Sequence, residues 1–144
     1  MTPPITGTVY LDNKFEFPDG ASPLPKYIVV ICDSMLDDDS VIVVRTTSRE
    51  KDKGKALGCS HSTYPPYHFM SRVLDVFPRE TWLMLDYVVE YTKDDICVLP
   101  HQGMLSTEDT ASILNCVTQV ITLENYVIKS ATSQLDLFRR SGLI

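Results

Sequence analysis

YIVVICD at residues 27–33 and, after an acidic turn, VIVVRTTSRE at residues 41–50 form the stretch on which the fold is read. Both apolar runs are short and rich in valine and isoleucine. β-Branched side chains suit the pleated, buried surface of a strand, and runs of this length are shorter than a typical helix. Tyr27–Cys32 and Val41–Val44 are therefore predicted as two buried strands. The polar connection Asp33–Ser40, which carries Asp37, Asp38 and Asp39, predicts a hairpin with a longer loop. The second strand runs out into Arg45, Thr46, Thr47, Ser48 and Arg49, and the cations continue through Lys51, Lys53 and Lys55. Hydroxyls and cations leaving one strand end together are the groups that a phosphate or a polynucleotide requires.

Upstream, Gly7–Asp12 reads as a short strand with Val9 and Leu11 on one face. Residues 13–26 hold three prolines and the pair Asp19-Gly20, which predicts a loop anchored by Phe15 and Phe17. Downstream, residues 58–70 read as irregular, with Tyr67–Met70 pairing briefly. Thr81–Tyr91 is long for one strand and is expected to bend near Asp86. Lys93–Leu99 fits helix or strand, and Pro100–Gly103 is expected to break the chain. From Ser106 the period becomes helical. Ser106 or Thr107, followed by Glu108 and Asp109, predicts a hydroxyl cap with acids in the first turn. Ile113, Leu114, Val117, Val120 and Ile121 make one apolar face. A joint at 122–124 leads to a second helix ending at about Phe138. The pattern predicts one α+β domain over 1–144, mainly β: a small barrel over about 6–100 with C-terminal helices over about 106–138.

Composition narrows the setting. The longest apolar run has six residues, Tyr27–Cys32, far below the roughly 18–20 that span a bilayer. The opening MTPPITG has neither a basic start nor an apolar export core. Cys32, Cys59, Cys97 and Cys116 stand in no motif, so reduced thiols in a cytoplasm are expected. A net charge of −6 argues against a generic nucleic-acid coat protein. Yet residues 45–55 carry five basic and two acidic side chains, a local +3 that leaves −9 on the rest. A basic loop on an acidic body grips a polyanion or an acidic partner selectively, or is simply solvated.

Five pieces in order carry a resemblance. They are Gly7-x-Val9-Tyr10-x-Asp12, the Asp19-Gly20 loop, Lys26 opening a Val29-Val30-Ile31 strand, the Val41–Val44 strand ending in Thr46-Thr47-Ser48, and the late pair Thr81–Tyr91. Over about residues 6–91 the chain resembles the MazF/PemK-like toxin family. The resemblance implies a compact SH3-like β-barrel, usually a homodimer, held by an antitoxin or another protein partner. It also implies a metal-independent, cofactor-free endoribonuclease that cuts single-stranded RNA at short sequences, in a toxin–antitoxin or related defence system. The family's catalytic arginine falls on Lys26 and its catalytic threonine on Thr47, with Ser48 following. Lys26-Tyr27 stands where the family has Arg-Pro. A guanidinium holds two phosphate oxygens in a fork, which an ammonium cannot do.

Cleaving RNA without metal uses the neighbouring 2′-hydroxyl as nucleophile and needs a base, an acid and donors for the charge on phosphorus. Lys26 and Arg45 can supply charge. Thr47 and Ser48 can donate to phosphate oxygens, with Arg49, Lys51, Lys53 and Lys55 as further phosphate contacts. His61 or His68 can move protons near neutral pH. Strand alternation puts Arg45 and Thr47 on one face and Thr46 on the other. Structural uses stand beside each role. Thr46-Thr47-Ser48 can cap a turn, Arg45 can lie over Trp82 or pair with the acidic turn, and His68 can be half-buried between Tyr67 and Phe69. His61 has the more exposed context, and His101 reads as a loop residue. Tyr64 is a base-stacking platform or part of a proline-braced loop. Cys59-x-His61 with His68, and Cys97-x3-His101, have zinc-ligand chemistry without motif spacing, so no metal is expected. Asp37–Asp39 lack calcium-loop spacing. Two function classes follow: the endoribonuclease, and a non-catalytic module binding a protein partner or nucleic acid.

Overall fold

The computed structural model describes residues 4–33, 39–48, 58–70 and 75–144. The chain opens with three antiparallel strands, β1 (Thr8–Phe15), β2 (Leu24–Cys32) and β3 (Ser40–Thr47), and the expected hairpin is the β2–β3 pair. The apolar runs are continuous, not alternating, because both faces of these strands are covered. Val29, Ile31, Ile42 and Val44 pack with Ile113, Leu114, Val117, Val127 and Leu135. The alternate residues Ile28, Val30, Val41 and Val43 face the other way, toward Tyr10, Phe15 and Ile96. Each such side chain, taken fully out of water, contributes about 1.5–3 kcal/mol before entropy is counted.

The chain continues with β4 (Gly58–Ser60), β5 (Tyr67–Met70), β6 (Thr81–Met84), β7 (Val89–Thr92), α1 (Lys93–Cys97), β8 (His101–Met104), α2 (Thr107–Val117) and α3 (Asn125–Arg140). The eight-stranded sheet runs β4-β5-β6-β3-β2-β1-β8, and β7 joins β3 off that path. The two ends of the path, β4 and β8, are not paired with each other, so the sheet is open and the fold is α+β, mainly β.

The bend expected near Asp86 separates β6 from β7. Thr46 pairs with Leu83 and Val43 with Val89, so three steps along β3 are matched by six along its partner. The surplus backbone bulges outward and carries Asp86 and Tyr87 with it.

Ser106 caps α2 as expected, its hydroxyl accepting from the Asp109 amide at 3.1 Å. The helix ends at Val117, before Val120 and Ile121. Val120 is still buried, but Ile121 is 92% exposed and belongs to no apolar helix face. The loop foreseen over 13–26 is shorter, since Phe15 closes β1 and Leu24 opens β2. Lys93–Cys97 turns helical behind a Thr92 cap that accepts from the Asp95 amide. The expected break at Pro100–Gly103 is instead the edge strand β8 on β1. Gly103 in that strand has a φ of +137° and lets it pack closely on Val76, since a Cβ there would stand 2.7 Å from Val76 Cγ1.

The cysteine expectation fails for one pair. Cys59 and Cys116 form a disulfide with their Cα atoms 5.4 Å apart, while Cys32 and Cys97 are free thiols. A separation of 57 residues makes no motif. The pair arises because the sheet lays its edge strand β4 against α2. With Cys59 oxidised, a zinc site on Cys59, His61 and His68 has lost its thiolate. Among the described residues no helix is long and apolar enough to cross a membrane.

Candidate phosphate-binding cleft

Three strand ends converge beside Thr47. Ile28 pairs with Arg45, and in an antiparallel ladder two further residues bring Lys26 abreast of Thr47. On the other side Thr47 pairs with Trp82, which brings the residues just before β6 alongside Ser48. The result is a cleft of about 300 Å³ whose lining includes Lys26, Tyr27, Thr46, Thr47, Ser48 and Arg79.

The alternation read from sequence holds here. Thr46 is buried, and its hydroxyl donates to the Tyr27 carbonyl at 2.9 Å, pinning β3 to β2 at the cleft floor. Thr47 is half-buried and Ser48 exposed. On the β6 side the buried Thr81 hydroxyl donates to the Arg79 carbonyl at 2.8 Å and fixes the backbone there. Thus the described lining residues offer two cations and several hydroxyls, and none of them is a carboxylate or an imidazole. Such a set binds an anion: bonds from a cation to phosphate oxygens are about twice as strong as neutral ones.

Lys26, Thr47 and Ser48, singled out from sequence, are brought together. Arg45 is not among the described lining residues and is placed elsewhere. Its guanidinium grips Asp86 with both prongs, Nη1 to Oδ1 at 2.8 Å and Nη2 to Oδ2 at 3.2 Å, and lies 4.0 Å over the Tyr87 ring. The β6–β7 bulge supplies these partners, in place of the Trp82 or acidic turn foreseen for Arg45. Tyr87 itself is held above its ordinary pKa by burial, although Arg45 pulls the other way.

The histidines are corrected as well. His68 lies buried between β5 and α2, its Nε2 3.1 Å from Ser112 Oγ. Burial holds its pKa below the ordinary value, opposed by Asp109. It faces the helix layer and does not line the cleft. His61 is exposed in the turn after β4 and borders a separate hollow with Tyr64, Asp86, Tyr87 and Ile121. Tyr64 is 95% exposed there. His101 stands edge-on to Tyr10, ring centroids 5.6 Å apart. Arg49, Lys51, Lys53 and Lys55, like Asp37 and Asp38, lie outside the described residues.

Arg79 was missed. In sequence it is only a cation ahead of a strand, as Lys26 is ahead of its own. That parallel was the available signal, but nothing in the sequence says that β6 will lie next to the end of β3. Among the described residues no group of three or more His, Cys, Asp or Glu is placed to hold a metal. Compared with protein-family models and with curated proteins, the chain gives no match in either.

Proposed function

We propose that the protein is a metal-independent endoribonuclease that cuts single-stranded RNA in this cleft, as the resemblance to the MazF/PemK-like family implies. One observation carries the reading: Lys26, Thr47 and Ser48, which come from the ends of two strands, line one cleft. In the step itself a 2′-oxygen attacks the adjacent phosphorus and the bond to the 5′-oxygen breaks. The products are a 2′,3′-cyclic phosphate and a 5′-hydroxyl. The 2′-hydroxyl proton goes to solvent, and a proton from solvent reaches the departing 5′-oxygen. Lys26 neutralises the charge that builds on the non-bridging oxygens, and the Thr47 and Ser48 hydroxyls donate to them. Positioning and charge stabilisation therefore supply the rate.

The same reading includes an SH3-like barrel, a homodimer, a cytoplasmic setting and an antitoxin that holds the toxin. Support for the barrel is that β3 pairs with three neighbours, β2, β6 and β7, which turns the sheet around it.

The test is incubation of the purified protein with a mixed single-stranded RNA pool in EDTA, beside Lys26→Ala and Thr47→Ala. Specific cuts ending in cyclic phosphate are expected from the wild type. Each variant should lose on the order of a hundredfold in rate, the usual cost of one oxyanion donor. A folded wild type that cuts nothing sinks the nuclease.

A second reading has its own observation. No general base stands among the described lining residues, which suits a non-catalytic module that binds nucleic acid or a protein partner on the same fold. Producing the protein alone separates the two: the nuclease arrests growth, and the module is tolerated.

A further inference from the structure

We infer that Arg79 is a phosphate-binding residue of the cleft, the guanidinium that grips both non-bridging oxygens of the bound phosphodiester while Lys26 supplies a point charge from the β2 side. This rests on the reading of the cleft as an RNA site.

Arg79 lines the cleft. It is also the one described arginine whose guanidinium makes no hydrogen bond, ion pair or ring contact with another described group. Arg45 is taken by Asp86 and Tyr87. Arg139 pairs with Asp136, and Arg140 donates to the Asp136 carbonyl. The backbone that carries Arg79 is fixed from both sides. Pro78 restricts the preceding φ, and the Thr81 hydroxyl holds the Arg79 carbonyl at 2.8 Å. A fixed tether therefore presents an exposed, uncommitted head group at the mouth of a cleft floored by hydroxyls.

The chemistry then divides the work. A phosphodiester offers two non-bridging oxygens in one plane, and a planar guanidinium meets both through parallel N–H bonds. An ammonium meets one geometry as well as another and fixes no orientation. Along the sheet order β6-β3-β2, Arg79 enters from one side of Thr47 and Lys26 from the other. The phosphorus is then oriented by the fork, and its hydroxyl donors come from the strand between. Arg79→Lys is accordingly not a conservative change at this site.

The experiment compares wild type, Arg79→Lys and Arg79→Ala in two assays. One is cleavage of a single-stranded RNA oligonucleotide in EDTA, giving kcat and KM. The other is binding of the all-deoxy oligonucleotide of the same sequence, which has no 2′-hydroxyl to attack, over a series of salt concentrations. Arg79→Lys keeps the charge, so its salt slope should match the wild type while affinity falls on the order of tenfold. Arg79→Ala should bind more weakly still and lower the salt slope by about one. Methylguanidinium added to Arg79→Ala should restore part of the cleavage rate, which a merely structural role would not allow. Equal binding and cutting by wild type and Arg79→Lys overturns the assignment and leaves the nuclease standing. A wild type that binds but does not cut removes the nuclease, and the binding arm still decides Arg79. If the wild type neither binds nor cuts, both fall.

Discussion

Two guanidiniums meet this sheet within a few residues of each other and are used differently. At the β6–β7 bulge, Arg45 finds a carboxylate on two prongs and an aromatic ring beneath it. At the cleft, Arg79 stands beside hydroxyls and another cation, and among the described residues no carboxylate lines the space. Only Thr46 separates Arg45 from Thr47, which share one face of β3, so position along the strand does not explain the contrast. What differs is the neighbour. Opposite Arg45 the partner strand has surplus backbone that turns Asp86 outward, whereas opposite Thr47 it is in regular register with Trp82. A positive charge becomes part of the framework where the fold supplies its counter-ion. It remains available to a ligand where the fold does not.

The largest effect should come from the framework side. The Cys59–Cys116 disulfide ties the three-residue edge strand β4 to α2 across 57 residues of chain. Closing a loop of that length in the unfolded state is worth up to about 4 kcal/mol by chain entropy. Paired Cys59→Ser and Cys116→Ser variants should lower the unfolding free energy read from urea titration by most of that amount, with a lower midpoint, and a dithiol reductant should do the same to the wild type. Cutting per folded molecule should stay within about twofold, because neither cysteine lines the cleft. Activity lost at unchanged midpoint would break the comparison by making β4 part of the site.

Asp86→Ala probes the bulge directly. It leaves Arg45, whose side chain is only 14% exposed, without its carboxylate. Removing one partner of a part-buried pair strands the other, at a cost of about 2 kcal/mol. Asp86→Asn keeps an acceptor and should cost less. By contrast Arg79→Ala, at an exposed position, should change unfolding free energy by no more than about 0.5 kcal/mol. Urea titrations of the three variants give the ranking. Equal losses for Arg79→Ala and Asp86→Ala would show that both arginines belong to the framework.

Much of this framework is legible in the chain because it is written in local periodicity. Two β-branched runs gave the central hairpin, the hydroxyl and acids at Ser106–Asp109 gave a capped helix, and excess length gave the bend at Asp86. Thr47 and Ser48 were legible for the same reason, as an alternating strand end carrying hydroxyls. Lys26 came from the resemblance, and its place abreast of Thr47 follows from the hairpin register. Most of the misses are contacts between elements distant in sequence. Arg79 reaches the cleft because β6 lies beside β3, and Cys59 meets Cys116 because β4 lies against α2. His68 leaves the candidate set because its strand turns that side chain toward α2 and not toward Thr47. None of these depends on sequence distance, so no spacing rule sees them. Ile121 failed in the opposite sense: it kept the helical period, but the helix stopped first.

The smallest effect concerns protons, and it separates the two regions by pH. His68 is buried, and its pKa is held below the ordinary 6.5 by desolvation. The unfolded chain therefore binds a proton at a higher pH than the folded one does. Above about pH 6.5 both forms are neutral at this ring and its contribution to stability is fully present. As pH falls below that value the unfolded state takes up the proton first, so stability declines, by at most about 1.4 kcal/mol for each pH unit, until the folded ring charges too. Urea unfolding at pH 7.5, 6.5 and 5.5 should show that slope for wild type and a shallower one for His68→Gln, the difference isolating His68 from the carboxylates. Cleavage should behave otherwise. Since no imidazole lines the cleft, the pH profile of kcat should be the same in wild type and His68→Gln. A step in kcat below pH 6.5 that vanishes in His68→Gln would move this histidine from the framework into the reaction. His61, exposed beside the separate hollow, provides the control for the reaction: His61→Gln should leave the kcat profile where it was.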